Sequence, residues 1–194
     1  MKNSEYWTTD TEHDAAFSLV AASDFFALTD KHPHYWRWFV LAAHSAVQGS
    51  FALALANGNI FNVQKPGVSN RMLSALESQS QGINFPNPHM DNFLRLYAKA
   101  KQVQYIRSGA TPLPADDRHE RALISLDEMR DEFVHFNSKS WSIEIAYMVE
   151  TTSIACEVIE HIFSSGAVLW HSDELAAAAA RALDSLKAAL SSES

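Results

Sequence analysis

From His34 to about Asn57 the chain runs without proline and places Trp36, Phe39, Val40, Ala43, Val47, Phe51 and Ala54 on one face at helical spacing. A helix with so long an apolar face has to be covered, either by other helices or by lipid. The segment FVLAAHSAVQGSFALALANG is interrupted by His44, Gln48 and Gly49, so no apolar run reaches the roughly 18 residues of a membrane span. Cover by other helices is therefore expected.

The rest of the sequence supplies them. The segment DAAFSLVAASDFFALTD carries Phe17, Val20, Ala21, Phe25 and Leu28 in a register that predicts one buried face. Pro33 then breaks the chain and can open the following helix, which Gly58 would cap in the left-handed conformation. A short helix is expected at NRMLSALES. Another starts with Asn87 as N-cap and Pro88 in its first turn. After the linker SGATPLPADD, Asp117 with Glu120 resembles a capping box, and the helix it opens aligns Leu123, Leu126, Arg130 and Phe133 before ending near His135. NSKS makes a tight connection. Ser140 then caps a long helix reaching about Phe163, with Gly166 just past its end. Ser172, followed by Asp173 and Glu174, starts a final alanine-rich helix. No segment alternates like a strand, and six glycines and six prolines are few for a turn-rich β fold. The prediction is a single all-α domain over residues 1–194, an up-and-down helical bundle of about four long helices plus short ones.

Charge and cysteine content narrow the function. A net charge of −8 opposes broad, non-specific nucleic-acid binding, which requires clustered Lys and Arg. Arg95, Lys99, Lys101 and Arg107 form a basic cluster that reads as a solvated helix face. The single cysteine, Cys156, excludes an internal disulfide and any multi-cysteine metal site, and its apolar neighbours point to a buried, inert thiol. No spacing of histidines and acids suggests a metal site, so neither metal nor cofactor is expected. The polar, acidic N-terminus has no signal core, which points to a cytoplasmic protein.

The chemistry concentrates in MRDEFVHFNSKSWSIE, residues 129–144. Arg130 falls among apolar positions, and a guanidinium that cannot shed its charge needs an acceptor there. His135 lies five positions on, about 140° round the helix. Asp131, four before His135, can reach the imidazole, fix its tautomer and raise its basicity, as a general acid–base histidine requires. The same pair would equally serve a helix C-terminus. A second polar line, Arg37, His44 and Gln48, follows helical spacing beside an aromatic face. His44 reads as a hydrogen-bonded core histidine, or, with Gln48, as part of a pocket shared with Arg130. Trp36, Trp38 and Trp141 read as packing residues, with base stacking as the alternative.

LDEMRDEFVHF followed by SKSWSIE resembles the motif of the HEPN superfamily, an arginine and, several residues on, a histidine near a helix end. WRWFVLAAHSAVQGSFALAL is similar to an early long helix in a bacterial and plasmid-borne subgroup of it. Together the two stretches cover most of residues 34–163. The resemblance implies an all-α bundle that dimerises with its two motifs facing each other, and a metal-independent endoribonuclease of toxin or defence type, paired with an antitoxin protein, or an RNA- or nucleotide-binding relative. Carried over, Arg130 would hold the scissile phosphate and His135 would move a proton at the ribose hydroxyl or the leaving oxygen. The superfamily prefers asparagine after the arginine; Asp131 stands there, and a carboxylate is electrostatically worse beside phosphate. The other function class is a helical dimerisation module without catalysis, in which Arg130 belongs to a structural ion pair. A homodimer is expected in both cases, because Trp141, Ile145, Met148, Val149, Ile154, Val158, Ile159 and Phe163 are more than one bundle is expected to bury.

Overall fold

Apolar residues at helical spacing give seven helices among the described residues, which in this computed structural model are 6–56, 60–78, 85–135 and 140–193. They are α1 (Thr11–Leu28), α2 (Tyr35–Leu55), α3 (Pro66–Glu77), α4 (Phe93–Ala100), α5 (Asp117–Val134), α6 (Ile145–Ser164) and α7 (Asp173–Ser192). No strand occurs among these residues; one isolated bridge joins Gln64 to Met90. The fold is an all-α helical bundle. The anticipated Gly58 cap and Phe136 lie outside the described residues.

α2 is the centre. It packs against α1, α4, α5 and α6, and Phe39, Val40, Val47, Phe51 and Leu55 are fully buried. By length and composition alone α2 could cross a membrane, yet most of it is covered by the other helices. α1 and α6 also meet α7, so one continuous core links every helix except α3, whose Val68 and Met72 are buried apart from it. Each fully buried Leu or Phe of this core contributes roughly 1.5–3 kcal/mol.

Helix ends follow side-chain oxygens. Asp10, Asn92, Asp116 and Ser172 each accept a backbone N–H in the first turn of α1, α4, α5 and α7. Two caps differ from expectation. α4 starts at Asn92 rather than at Asn87, and α5 is capped by Asp116 rather than Asp117, while Glu120 pairs with Lys101 at 3.1 Å instead of closing a capping box. Ser140 does not cap α6. Residues 141–144 stay non-helical, with Trp141 against Phe133 at 4.9 Å between ring centroids, and α6 begins only at Ile145. Gly166 does follow α6, with φ +78°.

One packing expectation is corrected, and a second holds only in part. The buried face of α1 is Ala15, Ala16, Leu19, Ala22 and Phe26, whereas Phe17 is 59% exposed. Apolar residues occur all round α1, and the face with the small alanines wins because it lets α1 approach α2 closely. Gly49 of α2 meets Ala15 there. Secondly, one bundle does bury most of the apolar residues of α6: Met148, Val149, Ile154, Val158, Ile159 and Ile162 are all in the core. α2, α5 and α7 cover three sides of that helix. Trp141 and Ile145 nevertheless stay exposed and Phe163 is only partly buried, so the bundle does not cover all eight of the residues expected to be in excess.

The basic cluster is also mostly structural. Lys99 Nζ donates to the carbonyls of Asn62 and Gln64 and pairs with the fully buried Asp91 carboxylate at 2.9 Å, tying the segment before α3 to α4. Arg95 reaches the same carboxylate at 3.7 Å. Cys156 is buried, and burial pushes its thiol up to about 12, so it is inert as expected.

A β-carbon on Gly49 would lie 2.8 Å from Ala15 Cβ and 2.9 Å from Ala15 Cα, so α1 would have to shift. Gly49→Ala should lower stability by about 1–3 kcal/mol, against the usual gain of roughly 0.5–1 kcal/mol for such a change in a helix. Gly67→Ala, with open space around it, should show that usual gain. Urea midpoints of the two variants check the contrast.

Candidate functional site

His44 is 3% exposed on the face of α2 turned toward α4 and α5. Its ring stacks on Phe93 of α4 at 4.2 Å between centroids. A buried imidazole needs a polar partner, and Asp127 of α5 provides it: Oδ1 lies 2.9 Å from His44 Nε2. The same oxygen accepts from Arg130 Nη2 at 2.9 Å, one helical turn along α5. Arg130 Nη1 donates to Asp131 Oδ1 at 2.5 Å, and Arg130 Nε faces His44 Nε2 at 3.4 Å. Nε2 cannot donate to Asp127 and accept from Arg130 at once; the nearer carboxylate selects the Nε2–H tautomer. Burial, more than the guanidinium beside it, holds the His44 pKa below its ordinary value against the opposing pull of Asp127. The result is a neutral histidine, two carboxylates and one cation, closed on itself.

The expected residues thus separate into three places. Arg130 does meet His44, and Asp131 does supply a carboxylate, but to Arg130. The seam of α5 facing the core runs through Leu123, Leu126 and Met129, so Arg130 flanks it with its side chain 31% exposed. Asp131 does not reach the His135 imidazole. The cation one residue away takes its carboxylate, and only the backbone N–H of His135 bonds to Asp131, at the main-chain oxygen. Gln48 turns to the other side of α2, where Nε2 lies 3.5 Å from Met90 Sδ in a groove between α1 and α2.

His135 and Arg37 come together elsewhere. Both line a cavity of about 480 Å³ between the start of α2, the end of α5 and the segment leading into α6. Trp36, Phe133 and Trp141 form its aromatic walls, and His34 and Glu132 add polar groups. Arg130 is not among its lining residues. Arg37 also lies over the Trp38 ring, 5.4 Å from the centroid. Among the described residues no group of three or more His, Cys, Asp or Glu could hold a metal ion.

Two arrangements with different chemistry follow. The His44 cluster is too buried for its imidazole to touch a substrate, and it joins α2 to α5. The His135 cavity is open, of the size that small ligands occupy, and mixes aromatic faces with a guanidinium, two imidazoles and a carboxylate. Asp127 escaped the sequence reading, although its position three residues before Arg130 was the available signal.

Unfolded histidine takes up a proton near 6.5, and folded His44 only at lower pH, so the unfolded state binds more protons as pH falls. Stability should therefore decline as pH drops below about 6.5, before the acids titrate, and His44→Gln should flatten that decline; urea midpoints from pH 7.5 to 5 check it. Because solvent reaches both Arg130 and Asp131, Arg130→Ala should cost only about 1–2 kcal/mol rather than the larger loss of a sealed ion pair, as thermal unfolding would show.

Comparison with protein-family models, with characterised proteins and with solved structures finds no match to this chain.

Proposed function

We propose that this chain is a HEPN-like RNA- or nucleotide-binding protein whose binding site is the His135 cavity. The observation that carries the reading is the meeting of Arg37 and His135 with Trp36, Phe133 and Trp141 around one open space. An arginine recognises phosphate, and an aromatic wall stacks a base without regard to its identity. Phe133 and Trp141 already touch each other, so a base would lie on their outer surface rather than between them. The proposal favours binding over cleavage. As phosphate holder, Arg130 would first have to leave Asp127 and Asp131, and it lies outside the cavity that contains His135. A homodimer belongs to the same proposal. Its support is the exposed Phe17 and Trp38 beside the groove between α1 and α2, with Trp141 and Ile145 exposed at the start of α6.

The second reading is a helical interaction module without catalysis or nucleotide binding. The in-chain compensation of Arg130 favours it, since such a cluster fixes helix packing and leaves no charge waiting for phosphate.

Adenosine monophosphate and a short single-stranded RNA should quench the tryptophan fluorescence of the protein in a saturable way. Arg37→Ala and His135→Ala should each weaken binding by about tenfold, the effect of losing one charge-assisted hydrogen bond. Quenching by neither ligand leaves the interaction module standing. RNA cleavage that disappears in His135→Ala would instead establish the endoribonuclease.

A further inference from the structure

The link between α6 and α7 passes over a second cavity, of about 760 Å³, at the opposite end of α2 from His135. Its floor includes Leu53, Ile106 and Ala167, each less than a tenth exposed, and Leu169, 58% exposed, forms an apolar lip. The space thus joins an apolar floor to a polar rim, and its size is that of a ligand site.

Its charged groups differ in one decisive respect. Asp10 and Glu12 are already occupied. Asp10 Oδ1 accepts the His13 backbone N–H and pairs with His13 Nδ1, both at 2.9 Å. Glu12 Oε1 accepts from the His171 backbone at 2.9 Å and pairs with His171 Nδ1 at 2.5 Å, which also ties the α6–α7 link to α1. Arg107 is different: it is exposed on the cavity wall, and among the described residues its guanidinium has no ion-pair partner. The other three members of the basic cluster do have one.

We propose that this cavity binds an amphiphilic monocarboxylate, its apolar body over Leu53, Ile106 and Ala167 and its carboxylate on Arg107. A guanidinium matches a carboxylate in bidentate geometry. A dianion such as a phosphate monoester is disfavoured, because one cation would face two ligand charges with Asp10 and Glu12 also in the lining. The apolar floor supplies affinity, and Arg107 selects the head group.

Octanoate titrated into the full chain, followed by amide chemical shifts, should give saturable changes centred on Leu53, Ile106, Ala167 and Leu169. Arg107→Ala should weaken octanoate by about tenfold and leave 1-octanol unchanged, whereas Leu169→Asp should weaken both. Both positions are exposed, and the amide spectrum itself reports that the variants fold. The proposal is overturned if octanoate causes no saturable change there. Shifts confined to the Phe17–Trp38 groove, or equal binding of octanoate by the protein and Arg107→Ala, would overturn it too.

Discussion

Everything in this bundle depends on covering α2. The helix is apolar on nearly all sides, and α1, α4, α5 and α6 each bury a part of it. That requirement places His44 in the core, where its nitrogen cannot be hydrated. A buried imidazole calls for Asp127, and the Asp127 carboxylate, in a partly dry setting, calls for the cation of Arg130. Arg130 is thus the last member of a chain of compensation that begins with a hydrophobic helix. Its own surplus donor takes Asp131 at the surface.

This order of causes separates arginine and histidine roles that lie close together in sequence. Arg130 lies in α5 and His135 just past its end, and the turn between them directs the first toward α2 and leaves the second beside Arg37 and the aromatic residues. Asp131 turns to the neighbouring guanidinium and bonds only the backbone of His135. The polar groups that serve the fold and those that can meet a ligand are therefore different sets, even though they are interleaved along the chain.

The ends of α2 have contrasting surroundings. Near its start, aromatic rings surround one cavity together with Arg37, two imidazoles and a carboxylate; near its end, an apolar floor lies beside Arg107, which has no ion-pair partner among the described residues. Between them, close packing of α1 on α2 through Ala15 and Gly49 holds the two helices tight.

By itself the sequence determined the all-α class, the order of the helices though not the starts of α4 and α6, the inert Cys156, the cap at Ser172 and the glycine after α6. These are local matters, set by apolar spacing and by side chains bonding to backbone within one turn. It also singled out Arg130, Asp131, His135, His44 and Arg37 as the residues with chemistry to explain. Which of them meet was beyond it. The face α1 buries was decided by how closely small residues let two helices approach, and the burial of α6 by the number of helices around it. The partner of Asp131 was decided by competition between a guanidinium and an imidazole for one carboxylate. Each outcome depends on distances between elements far apart in the chain, and those only the tertiary structure decided.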